Sequence, residues 1–197
     1  MASQMIIATK TTSGNTPKTR RIIEKSGQTF LTGTPVQVDS GDGGIKEWAG
    51  TVGTDLIAGF SAEDANNLAT TGAGAPGALA PITGSGSGIT FGSVPYQSSA
   101  KNIPRGQPFS DGRIGFFAAT DDIVFQAQVG PAQTTVATDV GVSYGITKDA
   151  DNHWYVDRTK TGANAVVKVV GLDPLDGPKL AGRVLFVVEA ADAQIVA

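Results

Sequence analysis

The chain has 197 residues, a net charge of −3 and 40% hydrophobic residues, enough to bury a sizeable core and too many for a disordered chain. Its 26 glycines and 10 prolines, with only 17% charged residues, argue against long helices and for strands joined by tight turns. The absence of cysteine excludes disulfides, thiolate metal sites and cysteine nucleophiles, and no apolar run approaches the roughly 20 residues that cross a bilayer.

Residues 1–28 are polar and turn-rich. The apolar run Met5, Ile6, Ile7, Ala8 is too short for the core of a secretory signal, which predicts a soluble protein made in the cytoplasm. Lys10, Lys18, Arg20, Arg21 and Lys25 against Glu24 give this segment a net charge of +4, leaving −7 for the remainder. The division predicts an extended basic N-terminal arm over 1–28 on an acidic β-rich body over 29–197. Such an arm suits an acidic protein surface or a neighbouring copy of the body. With no aromatic residue before Phe30, base stacking has no support, and nucleic acid is not the expected partner.

Within the body, Val36 and Val38 alternate with Gln37 and Asp39 as in a half-buried strand. A turn cluster over 40–44 and a returning strand from Ile45 to Trp48 complete a hairpin. Residues 55–60 predict a short strand interrupted by Gly59, at a bulge or a close backbone approach. Ser61 and Asp64 fit a capping box, which predicts a helix of a turn or two. Residues 68–95, rich in Gly, Ala, Pro and Ser, predict a long loop without structure of its own, the kind that is usually functional. A proline-punctuated connection follows near 103–108, and the sequence leaves open whether a break near 95–110 divides the body into two lobes.

Strand character resumes over 112–117 and 121–129, with Ile123, Phe125, Ala127 and Val129 on one face. The period-two run Val140, Val142, Tyr144, Ile146 leads through a polar turn over 148–153 to a partner strand over 154–157. A β-branched run over 165–170, a rigid connector over 172–178 and an apolar strand over 183–188, expected to be central in its sheet, end the pattern. The fold class is therefore all-β, a small barrel or sandwich body of antiparallel strands with the arm and the long loop attached.

Catalytic patterns are weak throughout. The glycines of residues 72–77 match a dinucleotide loop, but no strand precedes them and no helix follows. In residues 84–88 a glycine stands where a nucleophile elbow needs serine. His153 lies in a polar turn beside Asp151 and Asn152, better read as a solvated turn residue than as a base or ligand. Asp149 and Asp151 resemble the start of a calcium loop, yet Trp154 replaces its glycine and Lys160 its bidentate glutamate. The acidic neighbours Glu63 and Asp64, and Asp121 and Asp122, suit capping or turns. Trp48, Trp154 and Tyr155 could form a sugar-stacking platform, although tryptophans on strands more often anchor a core or an interface. No catalytic residue, metal or cofactor is predicted.

Several segments together resemble the head decoration, or capsid cement, proteins of tailed bacteriophages. They are 33–38 with 45–48, 57–63, 111–115, Tyr144 and Gly145 through 154–157, and 182–186, spread over roughly residues 30–190. The resemblance implies a β-rich, often trimeric, non-enzymatic protein that docks on the virion surface and binds the major capsid protein. Residues 1–28 and 68–95 would then be the contact segments, with Lys18, Arg20, Arg21, Leu79 and Ile82 as candidate capsid or subunit contacts. The alternative expectation is a carbohydrate- or receptor-binding β module on the phage particle, using Trp48, Trp154 or Tyr155.

Overall fold

A computed structural model describes residues 5–25, 27–41, 43–65 and 113–195, together with the backbone of 82–85 and 88–91. The alternating apolar positions become antiparallel strands: β1 (Ile7–Thr11), β2 (Thr19–Ile23), β3 (Pro35–Val38), β4 (Ile45–Glu47), β5 (Gly59–Ser61), β6 (Ile82–Ser85), β7 (Gly88–Phe91), β8 (Arg113–Ala118), β9 (Ile123–Gln128), β10 (Ser143–Lys148), β11 (Trp154–Asp157), β12 (Val167–Leu172) and β13 (Arg183–Val188). One sheet has six strands in the order β1-β9-β13-β12-β10-β11, and another has five in the order β2-β8-β5-β3-β4. Both are curled. Single parallel bridges join Glu24, just past edge strand β2, to Ile45 of the opposite edge strand β4, and Val129, just past β9, to Val156 of edge strand β11, without closing a barrel.

The predicted hairpins form. Val36 faces Glu47 and Val38 faces Ile45 across β3 and β4, while Ile146 faces Val156 across β10 and β11. Strand β13 lies between β9 and β12, the central place its apolar sequence predicts. The predicted face of β9 is buried at Ile123, Phe125, Ala127 and Val129.

Three local expectations change. The described residues of the expected 1–28 arm are not free: β1 pairs with β9 and β2 with β8, so the segment supplies an edge strand to each sheet. Burial of Ile6 beside the backbone-hugging Gly33 fixes its entry. The Ser61–Asp64 pattern starts no helix through Ala65, because its side chains hold loops instead. Ser61 Oγ donates to the Leu31 carbonyl, and Asp64 accepts from the Thr32 N–H and hydroxyl. Within the expected structureless segment 68–95, β6 and β7 pair from Ile82 with Phe91 to Ser85 with Gly88. Ile82, Ile89 and Phe91 give that hairpin its strand-forming residues. The proposed lobe boundary near 95–110 lies outside the described residues.

The larger core cluster draws on both sheets, joining Trp48, Ile57 and Phe60 to Phe125, Tyr144, Trp154, Val169 and Phe186. A smaller cluster, with Phe30, Val36, Ile45, Ile114 and Phe116, fills the curl of the five-stranded sheet. Gly59 sits at the close approach that its sequence position suggested: a Cβ there would lie 2.0 Å from the Phe117 carbonyl oxygen. Gly59→Ala must therefore push β5 from β8, and we expect a loss of about 3 kcal/mol in urea unfolding. A cost below about 1 kcal/mol would show that the two strands separate freely.

Candidate functional site

The connection from β1 to β2 crosses from one sheet to the other, alongside the β8–β9 connection that crosses back. A Thr-rich turn shapes it. Gly14, at φ +84°, takes the left-handed conformation, the Asn15 N–H donates to Thr11 Oγ1 at 2.9 Å, and Asn15 Nδ2 donates to Ser13 Oγ at 3.0 Å. Thr12 N–H donates to the Asp122 carbonyl at 2.6 Å and clips this strap to the opposite connection.

Between the two connections lies an open groove of about 520 Å³. Thr11, Thr16, Lys18 and Arg20 form one wall, and Thr120 and Asp122 stand on the other. The Thr120 hydroxyl donates to an Asp122 carboxylate oxygen, which fixes that carboxylate in place.

Strand alternation separates the two arginines predicted to act together. Arg21 points away from the groove lining and is already engaged, 3.3 Å from Glu63 Oε1 and 3.0 Å from the Arg113 carbonyl. Arg20 lines the groove with Lys18, and neither side chain has a hydrogen bond or ion pair among the described residues. The same holds for Lys10, Lys160 and Lys168, so three of these five unengaged cations lie within residues 10–20. Leu79 lies outside the described residues, and of Ile82 only its place at the start of β6 is described.

The remaining sequence candidates have structural roles. Asp149 Oδ1 accepts the N–H groups of Asp151 and His153 at 2.9 and 2.8 Å, closing the turn, and His153 Nδ1 is 3.7 Å from Asp149 Oδ2. Glu63 accepts the Gly115 N–H at 2.5 Å. Trp48 and Trp154 are buried, with ring centroids 5.6 Å apart. Their indole N–H groups donate to the Asp55 carbonyl and to Glu47 Oε1. They are core anchors rather than an open stacking surface. Tyr155 is half-buried.

Sequence spacing did not reveal the far wall of the groove, since Thr120 and Asp122 lie about a hundred positions from Lys18 and only the β8–β9 crossing brings them there. It also missed the carboxylate clamps. Hydrogen bonds from Lys25, then Lys46, hold Asp39 well below the usual carboxylate range. Arg183 lowers Asp176 chiefly through its hydrogen bond. At Asp157 burial opposes ionisation, but donors from Thr159, Gln133 and Thr147 outweigh it and lower the pKa. Each of these groups adds stability that is complete above the unfolded carboxylate pKa and lost as pH falls through the lower folded value. Asp192, raised by burial and then by Glu189, has the opposite sign and favours folding in acid. Three lowered groups outnumber it, so Tm should drop below roughly pH 4, and Asp176→Asn should flatten that drop. A Tm that rises continuously from pH 5 to pH 2 would contradict this assignment.

No protein-family model, curated protein or solved structure matches the chain.

Proposed function

We propose that this chain is a structural protein of a bacteriophage head, binding the outside of the assembled capsid and cementing neighbouring major-capsid subunits. The observation that carries the reading is the placement of unengaged cations, Lys18 and Arg20, along a strap that bridges both sheets of an otherwise acidic β body. The segment resemblance supplies the class of partner. A two-sheet body with two unengaged cations on one seam suits adhesion to a surface of opposite charge. Repetition over a shell makes modest affinity at each copy effective, and a homotrimer would raise it further.

The bridging strap also sets how the reading must be tested. Deleting residues 1–28 would remove β1 and β2 from their sheets, so lost attachment would report misfolding as readily as lost contact. The double variant Lys18→Ala/Arg20→Ala leaves both ladders intact. Incubated with DNA-filled heads stripped of the protein, it should co-sediment about tenfold more weakly than wild type, with Lys160→Ala/Lys168→Ala unchanged. Failure of wild-type protein to bind such heads, together with its absence from purified particles, would remove the proposal.

A further inference from the structure

We infer that the groove between the β1–β2 strap and the β8–β9 connection is a binding site for an extended acidic peptide segment. The inference rests on the cement reading for the identity of the segment's owner, an acidic stretch of a capsid subunit, and on the groove alone for its chemistry.

Its two walls differ in a way that selects among anions. Lys18 and Arg20 offer charge-assisted donors on the strap side, free of competition from any described residue. Asp122 presents a carboxylate on the other side, held in place by the Thr120 hydroxyl. A phosphodiester chain carries acceptors but no backbone donors, so it would meet Lys18 and Arg20 favourably and Asp122 unfavourably. An extended peptide alternates backbone N–H and C=O groups and sends successive side chains to opposite sides. Alternate carboxylates of such a segment can reach Lys18 and Arg20, the intervening ones turn to the open mouth of the groove, and backbone N–H groups along the strand edge can meet Asp122. A neutral peptide would leave the two cations without partners, and a basic one would be repelled by them.

Arg21 explains why the site is confined to one side of β2. Its guanidinium is committed to Glu63 and the Arg113 carbonyl, so an incoming acid gains little there. The seven-unit negative charge of the chain outside residues 1–28 makes the acidic surface of a second copy the competing occupant.

The test uses the full-length protein and a labelled hexaglutamate peptide at low salt, followed by fluorescence anisotropy and by amide chemical shifts. Binding should perturb amides of 11–20 and 118–123, weaken as salt rises, and fall about tenfold in Lys18→Ala/Arg20→Ala while Lys168→Ala leaves it unchanged. Hexaglycine should not bind, and single-stranded oligothymidylate should bind more weakly than hexaglutamate. Perturbations spread evenly over Lys160 and Lys168, equal binding of the oligonucleotide, or no binding of hexaglutamate would each overturn the inference. Concentration-dependent shifts at the groove without any peptide, abolished by the double variant, would assign it to a second copy instead and overturn the peptide assignment. Hexaglutamate bound at the groove by a protein that attaches to no heads would sink the cement reading and leave the site standing. Hexaglutamate that fails to bind a protein which still attaches to heads would sink the site and leave the cement reading standing.

Discussion

Asp139→Ala should lower the free energy of unfolding by about 3 kcal/mol, the low end expected for breaking a buried ion pair, because Arg158 keeps partial access to water. Asp139 is only 1% exposed and carries four donors. Its Oδ1 accepts Arg158 Nε at 3.0 Å, Arg158 Nη2 at 2.7 Å and the Tyr144 hydroxyl at 2.8 Å, while Oδ2 accepts the Val136 N–H at 2.8 Å. Removing the carboxylate leaves a guanidinium, a phenol and an amide without their acceptor in a low-dielectric setting. The Tyr144 hydroxyl, its pKa raised first by burial and then by Asp139, is the group least able to recruit water in exchange. Urea unfolding of Asp139→Ala, Arg158→Met and the double variant forms a cycle that isolates the pair. A double variant less destabilised than the alanine single variant is the expected pattern. A loss below about 1 kcal/mol in the single variant would mean that the network contributes little.

That network illustrates where the sequence is legible and where it is not. Period-two apolar residues announced β3, β9 and β10, polar turn clusters announced their return strands β4 and β11, and a continuous apolar run announced β13, because each of these signals is local. The polar strands β1 and β2 gave no such signal. Their side chains are mostly exposed, Lys10, Arg20 and Arg21 among them, and their partners β9 and β8 lie some ninety or more positions away. Charge on an edge strand is also how a sheet discourages unwanted pairing, so a true strand there reads like a solvated arm. The bulge between Ala8 and Lys10 has the same effect. Asp139 and Arg158 stand 19 positions apart on a turn and a strand end, a spacing no local periodicity encodes. Lys18 and Arg20 were legible as excess charge. Their separation from Arg21 follows from alternation once β2 is a strand, and the opposite wall of the groove follows only from the crossing of the two connections.

Phe60→Ala should cost about 4 kcal/mol and should weaken the groove as well as the core. Phe60 belongs to β5 of the five-stranded sheet, yet its ring packs 4.6 Å from that of Phe125 and 5.8 Å from that of Phe186, which belong to β9 and β13 of the other sheet. Those two stack on each other at 5.8 Å, so truncating Phe60 opens a cavity at the joint rather than within either sheet. The Trp48–Trp154 contact crosses the same divide and gives a fluorescent probe of it. If the sheets fold as one cooperative unit, tryptophan fluorescence and far-ultraviolet dichroism will report coincident urea transitions in wild type and variant, both shifted together. Separate transitions in the wild type would mean two independently stable lobes. The joint matters to the groove because β1 hangs from one sheet and β2 from the other, so the distance between its walls is set by how the sheets sit together. Hexaglutamate affinity should therefore fall in Phe60→Ala under conditions where the variant is still folded. Unchanged affinity there would show that the Thr12–Asp122 clip holds the groove open by itself.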